Sequence, residues 1–453
     1  MITKIELKNF KSFSNVELDL MKNKSVVKNM ALIYGENGAG KSNIISSIYC
    51  LQSLFDTMLI RDDLQEMMQM LNEKDGEEKI PDRLLEQIRK ALKTTKDIIA
   101  EYKTINSTKN MSIKLHFRLN DKNGVYYIEL DNEKIVREKL EYLLNKNKGV
   151  YFDIDSNDID SNDINSKSNL LNDNIICSQE YKNQLLGKID KFWGKHSLMA
   201  ILKNDLDDKS ESFMLKNLSE NFQRVLEFIF TINYKVKEGN SREVGKYTAN
   251  NKIFKDIKSG KISKDRLNDL TNCEKMINDI FSKLYADIKK AYYKKVENGN
   301  YIEYELYFKK MISGELRDIN INIESTGTQQ ILRLIPFIIT AIKGGIVLID
   351  EFDSGIHDLM VRAILQNVNK YLQGQLILTT HNTKLMEEPE FIDYVYFLTI
   401  DRMGNKEICS INDYEKRTYR TNNVRDLYFR GSYEAIPYPV DIDYEKIISS
   451  FDI

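Results

Sequence analysis

The stretch from Met30 to Ile48, MALIYGENGAGKSNIISSI, limits what this chain can fold into more than any other. An apolar run leads into a glycine-rich loop, and the loop leads into residues with helical spacing. Gly35, Glu36, Asn37, Gly38, Ala39, Gly40, Lys41 and Ser42 fit G-x-x-x-x-G-K-[ST], the pattern of a phosphate-binding P-loop. Glycines let backbone N–H groups approach phosphate oxygens, and the first helical turn, with Asn43, favours negative charge. Lys41 is placed to reach the β and γ phosphates of ATP, in binding and in catalysis, and the Ser42 hydroxyl to ligate Mg²⁺. A strand before such a loop and a helix after it imply an α/β fold.

A second strand supplies the carboxylates such a site needs. Gly345–Glu351 reads GIVLIDE, a short apolar strand ending in two acids. Buried parallel strands are continuous apolar runs and ligands lie at their carboxyl ends, so Asp350 and Glu351 are expected beside the P-loop. Asp350 is the expected Mg²⁺ ligand with Ser42, and Glu351 the group that orients or deprotonates the attacking water. Further on, the apolar strand Gln375–Thr380 is followed at once by His381, where an imidazole can contact the γ-phosphate or its water. Upstream, the segment ESTGTQQ, with Ser325, Gly327 and Thr328, precedes the apolar helix Ile331–Ile339. Small hydroxyl residues and a glycine before a helix make an anion-binding terminus.

Composition narrows the partners. Lys+Arg (66) and Asp+Glu (68) nearly balance, so no global basic field points to nucleic acid or an anionic membrane. A local patch remains open: the run from Lys289 to Lys295, KKAYYKK, mixes cations with tyrosines, though Asn298-Gly299 leading into Tyr301–Phe308 gives it a hairpin context. Cys50, Cys177, Cys273 and Cys409 are far apart and read as free thiols. The N-terminus MITKIELKNF lacks a signal h-region, and the apolar run Ile331–Ile342 is broken by Arg333 and Pro336. A soluble, cytoplasmic protein without membrane contact is expected.

At 453 residues the chain has room for two or three domains. Residues 1–60, with strands at Ile2–Leu7, Val16–Leu20 and Met30–Tyr34, are expected to open the nucleotide-binding sheet. Residues 61–110 read as a helical excursion in which Pro81 opens a helix striped by Leu84, Leu85, Ile88 and Leu92. Residues 111–150 read as a hairpin continuing the sheet, Met111–Leu119 turning at Asn123-Gly124 into Val125–Leu130. Residues 151–180 hold the near-repeat DIDSNDIDSNDINSKSN, a solvated loop. Its Asp153, Asp155 and Asn157 imitate a calcium loop, but Asp158 stands where glycine is needed and Ile164 where glutamate is. Residues 181–290 read as a helix-rich insert or lid, and 291–453 as the rest of the nucleotide-binding head.

The order of P-loop, S-x-G-T-Q segment, hhhhDE strand and strand-Thr-His resembles the ABC-type ATPase heads of the SMC, RecF and OLD group. The resemblance implies an α/β head with a mixed sheet, using ATP and Mg²⁺, plus an inserted helix-rich subdomain. It implies that Ser325, Gly327 and Thr328 stand for the signature motif, usually nearer LSGGQ, which completes the site of a facing subunit in a homodimer or higher homo-oligomer. Asp353, Ser354, Gly355, Ile356 and His357 resemble the D-loop of that group and His381 its switch histidine, and LKNFKSF makes Lys11 a candidate nucleotide contact. More narrowly, ESTGTQQ, LIDEFDSGIHDLM, LTTHNT and the tail Leu427–Pro437 resemble ATP-binding proteins of bacterial abortive-infection systems, including AbiL-type and PARIS-type ATPases. That resemblance implies antiphage defence, with a phage-encoded trigger and a separate effector, a nuclease or toxin.

OLD-type nucleases carry a TOPRIM domain after the ATPase, and the stretch beyond His381 is short for one. Neither an R-x4-H motif nor zinc spacing occurs among His116, His196, His357 and His381. The sequence supports three readings: an ATPase sensor or scaffold controlling a separate effector, a RecF- or SMC-like ATPase acting directly on DNA in repair or chromosome maintenance, and a nucleotide-locked module with negligible turnover. Glu351 argues against the last.

Overall fold

The computed structural model describes residues 1–73, 93–157, 170–209, 211–238, 242–248, 252–414, 423–436 and 441–449. The first part of the chain forms β1 (Ile2–Phe10), β2 (Phe13–Asp19), β3 (Met30–Gly35), α1 (Lys41–Glu73), α2 (Thr95–Tyr102), β4 (Met111–Leu119), β5 (Lys122–Leu130), β6 (Ile135–Leu143) and β7 (Lys148–Asp155). Four helices come next, α3 (Gln179–Phe192), α4 (Leu198–Asp208), α5 (Glu211–Asn217) and α6 (Glu220–Phe230), and then β8 (Asn233–Glu238), β9 (Arg242–Lys246) and β10 (Ser259–Ser263). The remainder is α7 (Leu267–Leu284), β11 (Ile288–Asn298), β12 (Tyr301–Ile312), β13 (Glu315–Asn320), α8 (Thr326–Ile342), β14 (Ile346–Ile349), α9 (Asp358–Tyr371), β15 (Gln375–Thr379), β16 (Val395–Ile400), β17 (Lys406–Ser410), α10 (Val424–Phe429) and α11 (Tyr444–Ile448).

The organising sheet has the order β17-β16-β3-β15-β14-β8-β9. Its centre, from β16 to β8, is parallel, and antiparallel β17 and β9 close the edges. Every residue of β3, β14 and β15 is buried, as their largely apolar text requires of strands covered on both faces. Alternate side chains divide between two cores. Ala31, Ile33, Ile346, Leu348 and Ile377 join a core with α1, α4 and α6. Met30, Leu32, Val347, Ile349, Leu376 and Leu378 join one with α7, α8 and α9.

β1 and β2 do not open this sheet, contrary to the sequence expectation. They belong to a second, antiparallel sheet, β2-β1-β4-β5-β6-β7. The physical reason lies in the burial pattern: β2 and β5 alternate buried and partly or fully exposed positions, as in a sheet with one wet face, whereas β3 is apolar throughout. The β4–β5 turn is also displaced from the expected Asn123-Gly124. It falls at Asn120 and Asp121, both at positive φ (47° and 59°), and Gly124 lies inside β5 against the Phe117 ring. Asn-Asp meets the two left-handed positions of a tight hairpin, so the Asn-Gly pair was not needed there.

The segment expected to be a helical insert is helical only in part. α3, α4 and α6 pack onto α1 and the antiparallel sheet through Leu185, Ile201, Phe222 and Val225. Then β8 joins β14 in the organising sheet, and β10 pairs with β12 in a third sheet with β11 and β13. β8 (NYKVKE) has lysines at alternate positions, and that text hid a parallel strand.

Asp153, expected in the solvated loop, lies inside β7 in ion pairs with Arg137 and Lys139, at 3.0 and 3.2 Å. The rest of the near-repeat, 158–169, and the helix expected after Pro81 lie outside the described residues. Strand alternation splits the Lys289–Lys295 run. Ala291, Tyr293 and Lys295 face α7, where Lys295 pairs with Glu274, while Tyr292 faces the other way with Lys294, whose ammonium sits over the Tyr307 ring. Near the C-terminus, Tyr428 and Tyr433 stack on Phe397 of β16, binding the tail to the organising sheet. Among the described residues no helix is long and apolar enough to cross a membrane.

Candidate functional site

Parallel pairing carries four strand ends to one edge of the organising sheet. Ile349 is in register with Leu378 on one side and Lys235 on the other, and Thr379 with Ile33. The residues just beyond, Gly35, Asp350, Glu351, Thr380 and Lys237, therefore emerge together, where open α/β sheets bind ligands.

There the P-loop wraps a cavity of about 270 Å³. Asn37, Gly38, Gly40, Lys41, Ser42 and Asn43 line it, with Glu351, His381 and Ser12. Gly40 has φ +107°, and a Cβ there would stand 2.8 Å from the Phe13 ring, so only glycine lets the loop pass. The Lys41 ammonium donates to the carbonyls of Gly35 (2.8 Å) and Glu36 (3.0 Å). Burial lowers its pKa, against the pull of Asp350, Glu351 and Asp353. Ala39 is buried and donates its N–H to the Glu36 carbonyl; neither residue borders the cavity.

Asp350 is buried and accepts the Thr379 hydroxyl at 2.7 Å. The same hydroxyl oxygen accepts the Glu351 N–H at 2.7 Å. Glu351 stands at φ +46°, a left-handed conformation that costs a non-glycine residue energy and gathers at functional sites. One of its carboxylate oxygens, Oε2, receives the Lys237 ammonium. His381 is fixed by its backbone N–H, which donates to Asp353 Oδ2 at 2.9 Å. Burial, then the nearby Lys41 charge, lowers the imidazole pKa, keeping the ring neutral near pH 7.

Other expected contacts are not brought to the cavity. Ser325 caps α8 by accepting the Thr328 N–H at 3.2 Å, and the Thr328 hydroxyl lies 3.4 Å from that of Tyr285. A Cβ on Gly327 would stand 2.5 Å from the Gly355 carbonyl oxygen, so α8 begins directly on the 353–357 segment. Lys11 leans on the Tyr102 ring and reaches Ser46 Oγ at 3.4 Å.

Four residues at the site are not singled out in the sequence, although Ser12 lies within LKNFKSF and Thr379 within LTTHNT. Ser12 accepts Asn43 Nδ2 (2.9 Å) and the Lys406 ammonium (2.7 Å), and Lys406 also reaches the Gly38 carbonyl at 3.2 Å. Thr379 and Lys237 are the others. Thr379 carried a further signal, a hydroxyl at the end of an apolar strand beside the acid-tipped one.

The donor chemistry suits the expected ligands. A glycine-rich cradle with an ammonium at its centre fits a polyphosphate, and a hydroxyl with a carboxylate fits Mg²⁺, a hard cation that takes few protein ligands and completes its shell with phosphate and water. Among the described residues no group of three or more His, Cys, Asp or Glu side chains could hold a metal by themselves.

P-loop, acid-tipped strand one place further along the same parallel sheet and flanking antiparallel sheet define an ATPase head of the ABC type. The chain belongs to the family described as "AAA domain, putative AbiEii toxin, Type IV TA system", whose model matches residues 30–387. Members of this class hydrolyse ATP, which they use with Mg²⁺. Similar solved structures include the SMC head domain from Thermotoga maritima (16% identity, 91% of this chain and 99% of that one, TM-score 0.37). Another is an SMC head bound to the C-terminal winged-helix domain of ScpA (15% identity, 91% and 98% covered, TM-score 0.39). A third is an SMC head with an extended coiled coil bound to the C-terminal domain of ScpA, from Pyrococcus furiosus (14% identity, 90% and 96% covered, TM-score 0.37). No curated protein matches the chain.

Proposed function

We propose that this protein binds Mg²⁺ and ATP at the P-loop cavity and hydrolyses ATP at a site completed head to head by a second copy. In that role it is a sensor or scaffold that controls a separate toxic effector in antiphage defence. Lys41 and the backbone of residues 35–43 hold the phosphates, and Ser42 and Asp350 hold the metal, with Lys11 available beside the helix start. The bound metal supplies charge neutralisation at the phosphates. Glu351 takes the proton of the attacking water, and the neutral His381 imidazole contacts that water or the γ-phosphate.

The observation that carries the composite site is the position of the α8 start. Ser325, Gly327 and Thr328 lie outside the cavity of their own chain, and α8 rests instead on the 353–357 segment. At this helix start Ser325 and Thr326 are exposed while Thr328 is buried, so the exposed hydroxyls are those of Ser325 and Thr326, suited to meet the phosphates held by a facing subunit. The effector-control reading is supported by the family description, which names a toxin and a toxin–antitoxin system. The direct DNA reading would rest on the sheet face where Lys290, Lys294 and Lys309 gather around the Tyr292 and Tyr307 rings.

Glu351→Gln tests the assignment. Phosphate release should fall by about 100-fold or more while ATP binding persists, and the ATP-loaded protein should elute as a dimer in size-exclusion chromatography with light scattering. Unchanged turnover would remove Glu351 from its role.

A further inference from the structure

β8 carries a side chain into the site that no motif predicts. β8 runs parallel to β14 with Lys235 opposite Ile349, so two residues further along Lys237 stands beside Glu351. Its ammonium bonds Glu351 Oε2 and lies 3.3 Å from the Ser354 hydroxyl. Glu351 at the same time borders the P-loop cavity with Lys41, Ser42 and His381. A carboxylate with one oxygen anchored and its residue facing the cavity is a carboxylate with a direction. Among the described residues Glu351 is otherwise held through its backbone, by the Thr379 hydroxyl, the Ser354 N–H on its carbonyl and a left-handed φ, none of which fixes the side-chain torsions. Asp350, Glu351 and Asp353 also crowd three carboxylates into four residues, so a cation arriving from β8 offsets repulsion that would push Glu351 aside.

We propose that Lys237 is a positioning residue for ATP hydrolysis: it holds one oxygen of Glu351 so that the other is presented to the attacking water, and it ties this geometry to Ser354. The inference rests on the reading of Glu351 as the base. A half-exposed ion pair adds little to stability, so the bond acts on geometry rather than on folding. Small misplacements of a base are costly because proton transfer requires hydrogen-bond reach.

The test is steady-state ATP hydrolysis by the full chain with Lys237→Met, Lys237→Arg, Glu351→Gln and the Lys237→Met/Glu351→Gln pair, all under saturating Mg²⁺. Lys237→Met should lower kcat on the order of tenfold or more with KM for ATP within about twofold, and Lys237→Arg should recover most of the loss. In the Glu351→Gln background Lys237→Met should cost nothing further, because the two act as one unit. The inference is overturned if Lys237→Met leaves kcat within about twofold, if KM rises in parallel and arginine fails to rescue, or if the loss is the same in both backgrounds. Full turnover by Glu351→Gln alone would instead refute the base assignment, a result read independently of any Lys237 variant.

Discussion

The Thr379 hydroxyl donates to Asp350 Oδ1 at 2.7 Å, and its oxygen accepts the N–H of Glu351 at the same distance. One side chain at the end of β15 thus sets both acids at the end of β14. Thr379→Val keeps the shape and removes the hydroxyl. It should lower kcat by roughly 10- to 100-fold, in line with the loss of a partner that orients a metal ligand, while leaving the melting temperature within a few degrees. A phosphate-release assay and a thermal melt check this; unchanged kcat would show that the acids hold their places without Thr379.

Glu138 is a carboxylate without solvent contact. It accepts the Tyr126 hydroxyl (3.0 Å), Trp193 Nε1 (3.0 Å) and the backbone N–H groups of Leu198 (2.6 Å) and Met199 (3.2 Å), tying β6 to the start of α4. Burial raises its pKa even against these donors. Glu138→Ala leaves several buried donors without an acceptor, at about 3 kcal/mol or more of stability. Urea denaturation reads the loss as a lower midpoint at constant slope. A midpoint within error of the wild type would mean that water enters and replaces the carboxylate.

Lys28 is buried beneath the Tyr396 ring and donates to Ser410 Oγ at 2.9 Å. Burial outweighs the nearby acids and lowers its pKa to about 8. Its unfolded value is higher, so between the two values the unfolded chain binds the extra proton and stability rises with pH. From about pH 8 to 9.5, below the ordinary range of tyrosine ionisation, the wild type should gain on Lys28→Met by about 1 kcal/mol or more in urea titrations. A constant difference between the two would contradict the buried-ammonium account.

Much of the site was legible because its chemistry is local in sequence. Residues 35–43 are contiguous, and Asp350 and Glu351 end a run whose apolarity already marks a covered parallel strand. The text of β1 and β2 marks them as strands but does not name their neighbours; the alternation that separates them from β3 becomes decisive only once their wet face is seen. β8 was hidden because lysines at alternate positions resemble a solvated surface, and Lys237 with it. Lys237, Lys406 and Ser12 reach the site by pairing and folding over long sequence separations, which no spacing rule encodes. The start of α8 was legible as a capped helix, while its distance from the cavity of its own chain is a tertiary fact.

In the proposed dimer two chains complete each site, and subunit mixing tests that arrangement. Lys41→Ala removes the P-loop ammonium and Ser325→Arg blocks the α8 start, so either variant alone should have little ATPase activity. In an equimolar mixture half of the dimers are mixed, and each carries one site with an intact P-loop from one chain and an intact α8 start from the other. The account predicts recovery toward about a quarter of wild-type phosphate release. Activity that stays at the average of the two separate variants would contradict it.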